Sequence, residues 1–282
     1  MKRTIFKTMA LALAATACMS FGACAEETLI VYTESGFAPF EYVSNGNIVG
    51  VDVDIMNKVG EKLGKKVIFE DVDFDTIVDA VSEGTLTNVG AAGITVTEER
   101  KQKVDFSTEY YTAALYVIYE KSDENILLST TTDETQGIYW NSIANLDKKV
   151  IAVQNGTTAD LFLGDEIAEG GSLWNAETNE ALVTKSGFSD LATAVADVGL
   201  NAGVLIIDEL PAKKLIEDNA NLACAPLYYQ GEGETPDEAA VDTYAICVTK
   251  GQTELLNAIN EVLADLGEDG IQALVNKHLG LN

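Results

Sequence analysis

Residues 75–100 read DTIVDAVSEGTLTNVGAAGITVTEER, and the order of elements in this stretch decides the fold. Ile77, Val78 and Val81 recur at helical spacing, which predicts a helix over Asp75–Glu83 with Gly84 as its stop. Val89–Ala92 is a short strand of small residues. Thr97–Lys103 (TEERKQK) is a charged helical turn opened by Thr97 or its neighbour as cap. Upstream, Thr28–Tyr32 (TLIVY) is an apolar strand. Val51, Ile55, Val59 and Leu63, with Met56 beside them, form the inward stripe of a helix that ends at Gly64. Lys66–Phe69 is a further strand. The first half thus alternates β-α-β-α-β, which implies a parallel sheet covered by helices.

Downstream, Tyr110–Tyr119 (YYTAALYVIY) is a long β-prone run. Ser122–Asn145 is rich in Thr, Asp and Asn and is expected to be an irregular surface insertion. Alternation then resumes. Strands are predicted at Lys149–Val153, Gly203–Ile207 and Tyr244–Thr249. Helices are predicted from Thr158, over Asp190–Val198 and Leu210–Asn219, and over Thr253–Leu266 and Ile271–His278. Val81–Ile94 and Val195–Ile206 share one plan: helix end, Gly, Asn, buried strand. Two α/β lobes of similar design account for that echo, although chance likeness of α/β segments also produces such echoes.

The chain carries 18 basic against 45 acidic residues, a net charge of −27. A surface this acidic repels phosphate backbones, which argues against nucleic-acid binding. Residues 1–25 have the form of a secretory signal: Lys2, Arg3 and Lys7, then the short apolar run Met9–Met19, then small residues. That run is too short for a spanning helix. Two endings compete. Ala23-x-Ala25 would release the chain at Glu26, whereas Phe21-Gly22-Ala23-Cys24 resembles a lipobox with Cys24 as lipid anchor and Phe where Leu is usual. The single histidine, His278, lies near the C-terminus, which excludes multi-histidine metal sites and argues against a Ser-His-Asp triad. No C-x-x-C spacing occurs, and neither metal nor cofactor is expected. Cys224 and Cys247 are either a disulfide or two buried thiols.

In open α/β sheets ligands bind beyond the carboxyl ends of the strands. Arg100 follows one such end and is the only arginine beyond the leader of a chain that otherwise uses lysine. Its planar fork suits a carboxylate, against the plainer reading of a surface pair with Glu98 or Glu99. Asp208 ends an apolar strand, where it suits an ammonium group, caps the next helix, or does both. Gln154–Thr158 (QNGTT) opens a helix whose backbone N–H groups suit a carboxylate; the plainer reading is an ordinary capped start. Asp71-x-Asp73-x-Asp75 begins like a calcium loop but lacks its Gly and closing Glu.

Four stretches then carry a resemblance: GFAPFEY (Gly36–Tyr42) with GVDVDI (Gly50–Ile55), DFDTI (Asp73–Ile77), GITVTEERKQKVDFSTEYY (Gly93–Tyr111), and QNGTT with IIDELPA (Ile206–Ala212). Over nearly its full length the body resembles the polar amino-acid family of periplasmic substrate-binding proteins of ABC transporters (solute-binding protein family 3). The resemblance implies an α/β, two-lobed, Venus-flytrap fold: two mostly parallel sheets flanked by helices, with crossover strands as hinge. It places residues 26–112 and 238–282 in one lobe and 113–237, with the insertion 122–145, in the other. It implies a monomer that is not an enzyme, works outside the cytoplasmic membrane, and delivers a polar L-amino acid, cationic or amide, to a membrane permease. By resemblance Arg100 grips the ligand carboxylate with Thr95 and the backbone around Thr157 and Thr158. Gly93 and Asp208 take the α-ammonium, Phe37 and Phe74 wall the pocket, and Glu34 faces the ligand side chain. Ala92 stands where some relatives have Ser, and Asn88 and Asn201 where the family often has Asp. Two alternatives are a dehydratase on the same fold and a ligand-binding protein serving a separate sensor.

Overall fold

The computed structural model describes residues 27–132, 134–231 and 237–281. The leader, with Cys24, lies outside the described residues. Two mixed sheets organise the chain. In the first, Lys66–Asp71, Thr28–Thr33 and Val89–Gly90 run parallel, Cys247–Val248 pairs antiparallel with Val89–Gly90, and Asp105–Phe106 pairs antiparallel with Cys247–Val248. In the second, Thr184–Phe188, Val150–Gln154 and Val204–Asp208 form the parallel core. Tyr111–Glu120 joins that core antiparallel, followed by Leu222–Tyr229, Gln136–Tyr139 and Ser129–Thr130. Val204–Asp208 is buried along its whole length, as a central parallel strand covered on both faces must be.

Two strands cross between the sheets. Val241–Tyr244 pairs with residues 111–114 of Tyr111–Glu120, whose remaining residues pair within the second sheet. After Tyr244 the chain re-enters the first sheet at Cys247–Val248. The single strand expected at Tyr244–Thr249 is therefore two short strands in different sheets, and only tertiary pairing separates them.

Helix Val51–Leu63 buries Val51, Ile55, Met56 and Val59 and stops at Gly64, whose left-handed φ of 67° lets its N–H reach back to the Glu61 and Gly60 carbonyls. Each such buried side chain contributes about 1.5–3 kcal/mol of transfer free energy. The two helices expected near the C-terminus are present within Thr253–Leu279, divided at Gly267, whose φ of 58° and ψ of −178° are not helical. Among the described residues no helix is long and apolar enough to cross a membrane.

The segment expected as a surface insertion, 122–145, keeps to the surface in its first part, where Leu127 and Leu128 are exposed, but enters the core from Gly137 onward. It supplies strands Ser129–Thr130 and Gln136–Tyr139 and the 3-10 turn Trp140–Asn145. Ile138, Trp140 and Ile143 are buried in the core of the second sheet with Leu115, Val117 and Ile151. Its polar composition hid a few large apolar anchors spaced too irregularly for a periodic signal. Cys224 and Cys247 are free thiols on strands of different sheets.

Candidate functional site

The ends of Val89–Gly90, Val150–Gln154 and Val204–Asp208 lead into the segments that meet between the two sheets. Thr97 caps helix Glu98–Lys103 by accepting the Arg100 N–H at 3.1 Å. This cap turns the Arg100 side chain inward, where it is only 8% exposed. Its Nη1 donates to the Thr95 carbonyl at 2.6 Å and its Nη2 to the Gly156 carbonyl at 2.7 Å, so one guanidinium links the two lobes. The Phe74 ring centroid lies 5.6 Å from its Cζ, in range for a cation–π contact. Glu98 and Glu99 are engaged by Lys101 and Lys103, so the surface-pair reading of Arg100 does not hold.

Asp208 ends its strand and precedes helix Glu209–Glu217, yet its side chain makes no capping hydrogen bond. It is buried, and its Oδ1 finds no partner among the described residues. Burial, reinforced by the Asp242 charge, pushes its carboxyl up to about 8. Asp242, on the crossover strand Val241–Tyr244, is likewise buried and pushed up by desolvation. It accepts hydrogen bonds from the hydroxyls of Thr158, on the second lobe, and Thr95, on the first. The buried Tyr244 hydroxyl approaches Asp208 without closing a hydrogen bond.

A third group comes from the segment after Thr28–Thr33. Glu34 is buried, hydrogen-bonds Gln154 of the opposite lobe, and leaves Oε2 without a partner among the described residues. Desolvation raises its carboxyl to about 7. Phe37 is buried, tilted against Phe40 and edge-on to Tyr244, with centroids 6.0 and 6.1 Å apart. Gly93 sits at φ 54°, and a Cβ there would come within 2.9 Å of the Phe37 ring, so backbone and packing both demand glycine.

The structure thus brings Arg100, Thr95, Gly93, Thr158, Asp208, Glu34, Phe37 and Phe74 close together where the two lobes meet. Thr157 serves the helix instead. It caps Thr158–Glu166 by accepting the Asp160 N–H and donates its hydroxyl to the Gln154 carbonyl. Ala92 packs with Ile77, Val81 and Ile94 and offers no polar side-chain atom. Sequence reading missed Asp242, Glu41, Asp52 and Tyr110. Asp52 and Glu41 lie inside quoted motifs, but nothing in the pattern of their neighbours marks the 0% exposure that the tertiary structure gives them. Among the described residues no group of His, Cys, Asp or Glu forms a metal-holding cluster.

The chain matches the profile of the bacterial extracellular solute-binding proteins, family 3, over residues 29–281. It belongs to that family. The arginine-binding extracellular protein ArtP of Bacillus subtilis is 27% identical, over 91% of this chain and 89% of its own length. The L-cystine-binding protein TcyJ of Escherichia coli is 25% identical, over 90% of this chain and 83% of its own. Among solved structures, a P235GK mutant of the T. maritima protein ArgBP superposes with a TM-score of 0.70 at 26% identity, covering 90% of this chain and 95% of that one. An ancestral arginine-binding protein bound to glutamine gives a TM-score of 0.68 at 28% identity, covering 90% of this chain and 99% of that one. The fold of this solute-binding protein is accordingly the type II periplasmic-binding architecture, and these homologues are binding proteins rather than enzymes.

Proposed function

We propose that this solute-binding protein captures a polar L-amino acid with a cationic or amide side chain between its lobes and delivers it to an ABC permease. The observation that carries the reading is one buried guanidinium, Arg100, within electrostatic reach of one buried carboxyl with an unpartnered oxygen, Asp208. An amino acid presents the complementary pair of charges on one carbon. A guanidinium has five donors, two of them engaged by carbonyls here, so donors remain for the ligand carboxylate. The backbone N–H groups at the helix start at Thr158 support that grip, while the Thr95 and Thr158 hydroxyls hold Asp242 beside it. Gly93 and Asp208 receive the α-ammonium, and Phe37 and Phe74 flank the side chain. Glu34, buried and half-partnered, favours a cation or an amide at the far end. Relatives named for arginine and cystine, and a structural neighbour holding glutamine, support the same range.

Ligand bridging residues 26–112 plus 238–282 and residues 113–237 favours the closed form, because only that form makes both sets of contacts. The protein works as a monomer outside the cytoplasmic membrane, freed before Glu26 or anchored at Cys24. The test is a thermal-shift and calorimetric panel of all twenty amino acids on refolded protein. A stabilising response to one or a few polar amino acids is expected. Arg100→Ala, which strands the ligand carboxylate in a buried site, should weaken binding by about 2–5 kcal/mol. No response across the panel refutes the reading.

A further inference from the structure

The GVDVDI motif reaches the cleft through Asp52. This residue is fully buried in the first turn of helix Val51–Leu63, where the helix N-terminus favours an anion. Its Oδ2 accepts the Gly93 N–H at 3.0 Å, and its Oδ1 accepts the Tyr110 hydroxyl at 2.5 Å. The rest of the Gly93 turn is tied by backbone: Ala91 N–H to the Tyr32 carbonyl, Ala245 N–H to the Ile94 carbonyl, and Val96 N–H to the Thr243 carbonyl. At Gly93 a side chain from another element supplies the anchor. Glycine explores more backbone conformations than any other residue, so a carbonyl that must keep one direction there needs an external restraint.

Resting on the amino-acid reading above, we propose that Asp52 is a positioning residue that locks the Gly93 turn so that its carbonyl meets the ligand's α-ammonium group. Glu41, fully buried on strand Glu41–Ser44, completes the device. Burial, with the charges of Asp52, Glu34 and Asp208, raises the Glu41 carboxyl well above its usual range. Both Glu41 oxygens lack a hydrogen-bond partner among the described residues, and burial favours the neutral acid, so Glu41 adds no second charge beside Asp52. Burial raises Asp52 to about 6, held from going higher by Tyr110, Gly93 and Glu41.

The test pairs L-arginine with 5-guanidinopentanoic acid, which lacks only the α-ammonium. Asp52→Ala should weaken L-arginine about tenfold or more, the scale of a charge-assisted hydrogen bond, while leaving the deaminated analogue nearly unchanged; Asp52→Asn should recover part of the loss. Equal weakening of both ligands, or of neither, overturns the proposal. A second readout needs no ligand. In the unliganded protein the Gly93 amide proton shift should titrate with a midpoint of about 6, and Tyr110→Phe should move that midpoint upward. A Gly93 amide blind to pH overturns the proposal independently. If wild-type protein ignores L-arginine but answers to another polar amino acid, that amino acid and its deaminated analogue replace the pair; silence to all twenty counts against the amino-acid reading, and the amide titration then judges the Asp52–Gly93 linkage by itself.

Discussion

At the scale of single residues the cleft is an excess of buried acid around one buried base. Glu34, Glu41, Asp52, Asp208 and Asp242 are all buried and all raised, against Arg100 as the buried guanidinium. Desolvation disfavours each anion, and a ligand cation relieves it. Glu34 shows the consequence most directly. Without ligand its carboxyl stands at about 7. A guanidinium or ammonium beside it favours the anion, so binding a cationic amino acid releases a proton near neutrality. Affinity for L-arginine should fall as pH drops below 7, at most about tenfold per unit for one coupled proton. Glu34→Gln should flatten that slope and weaken L-arginine by about 10–100-fold, with L-glutamine little affected. Calorimetry at pH 6 and 8 in two buffers of different ionisation enthalpy measures both effects.

At the scale of elements, Ile138, Trp140 and Ile143 tie the end of segment 122–145 into the core of the second sheet. Trp140 is 2% exposed and packs on Tyr229 with ring centroids 6.0 Å apart. Trp140→Ala should cost about 3–5 kcal/mol in denaturant unfolding, the range for deleting a buried aromatic. A loss below about 0.5 kcal/mol, typical of a surface change, would return the segment to the surface. The crossover strand Val241–Tyr244 is held by its backbone ladder to residues 111–114, which leaves the Asp242 side chain to meet hydroxyls of both lobes.

For the whole molecule, the raised acids and the net charge of −27 act in the same direction. An acid raised on folding binds more protons in the native state than in the unfolded chain between the two pKa values. Unliganded stability is therefore greatest towards the unfolded values near 4 and is lost as pH rises through the folded values of about 6 for Asp52, 7 for Glu34 and 8 for Asp208. The melting temperature of ligand-free protein should rise as pH falls from 8 to 5. Each kcal/mol is worth about 2–4 °C for a chain of this size. Saturating cationic ligand should flatten the trend, because it stabilises the ionised cleft. A melting temperature that falls over that range would contradict the burial of these acids.

Local pattern carried much of the architecture. The periodicity of Val51–Leu63, the stop at Gly64 and the apolar run before Asp208 are near-neighbour properties, and the structure keeps them. Arg100 was legible because its residue type departs from the lysine habit of the chain, and Asp208 because it ends an apolar strand. The division of residues 241–248 between two sheets, the burial of Trp140, and the meeting of Asp242 with Thr95 and Thr158 are not local. They depend on segments far apart in the chain closing on one another. The same holds for Glu41 and Asp52. A carboxylate is written identically in sequence whether water or the hydroxyl of a half-buried tyrosine will meet it, and only the packed chain decides which.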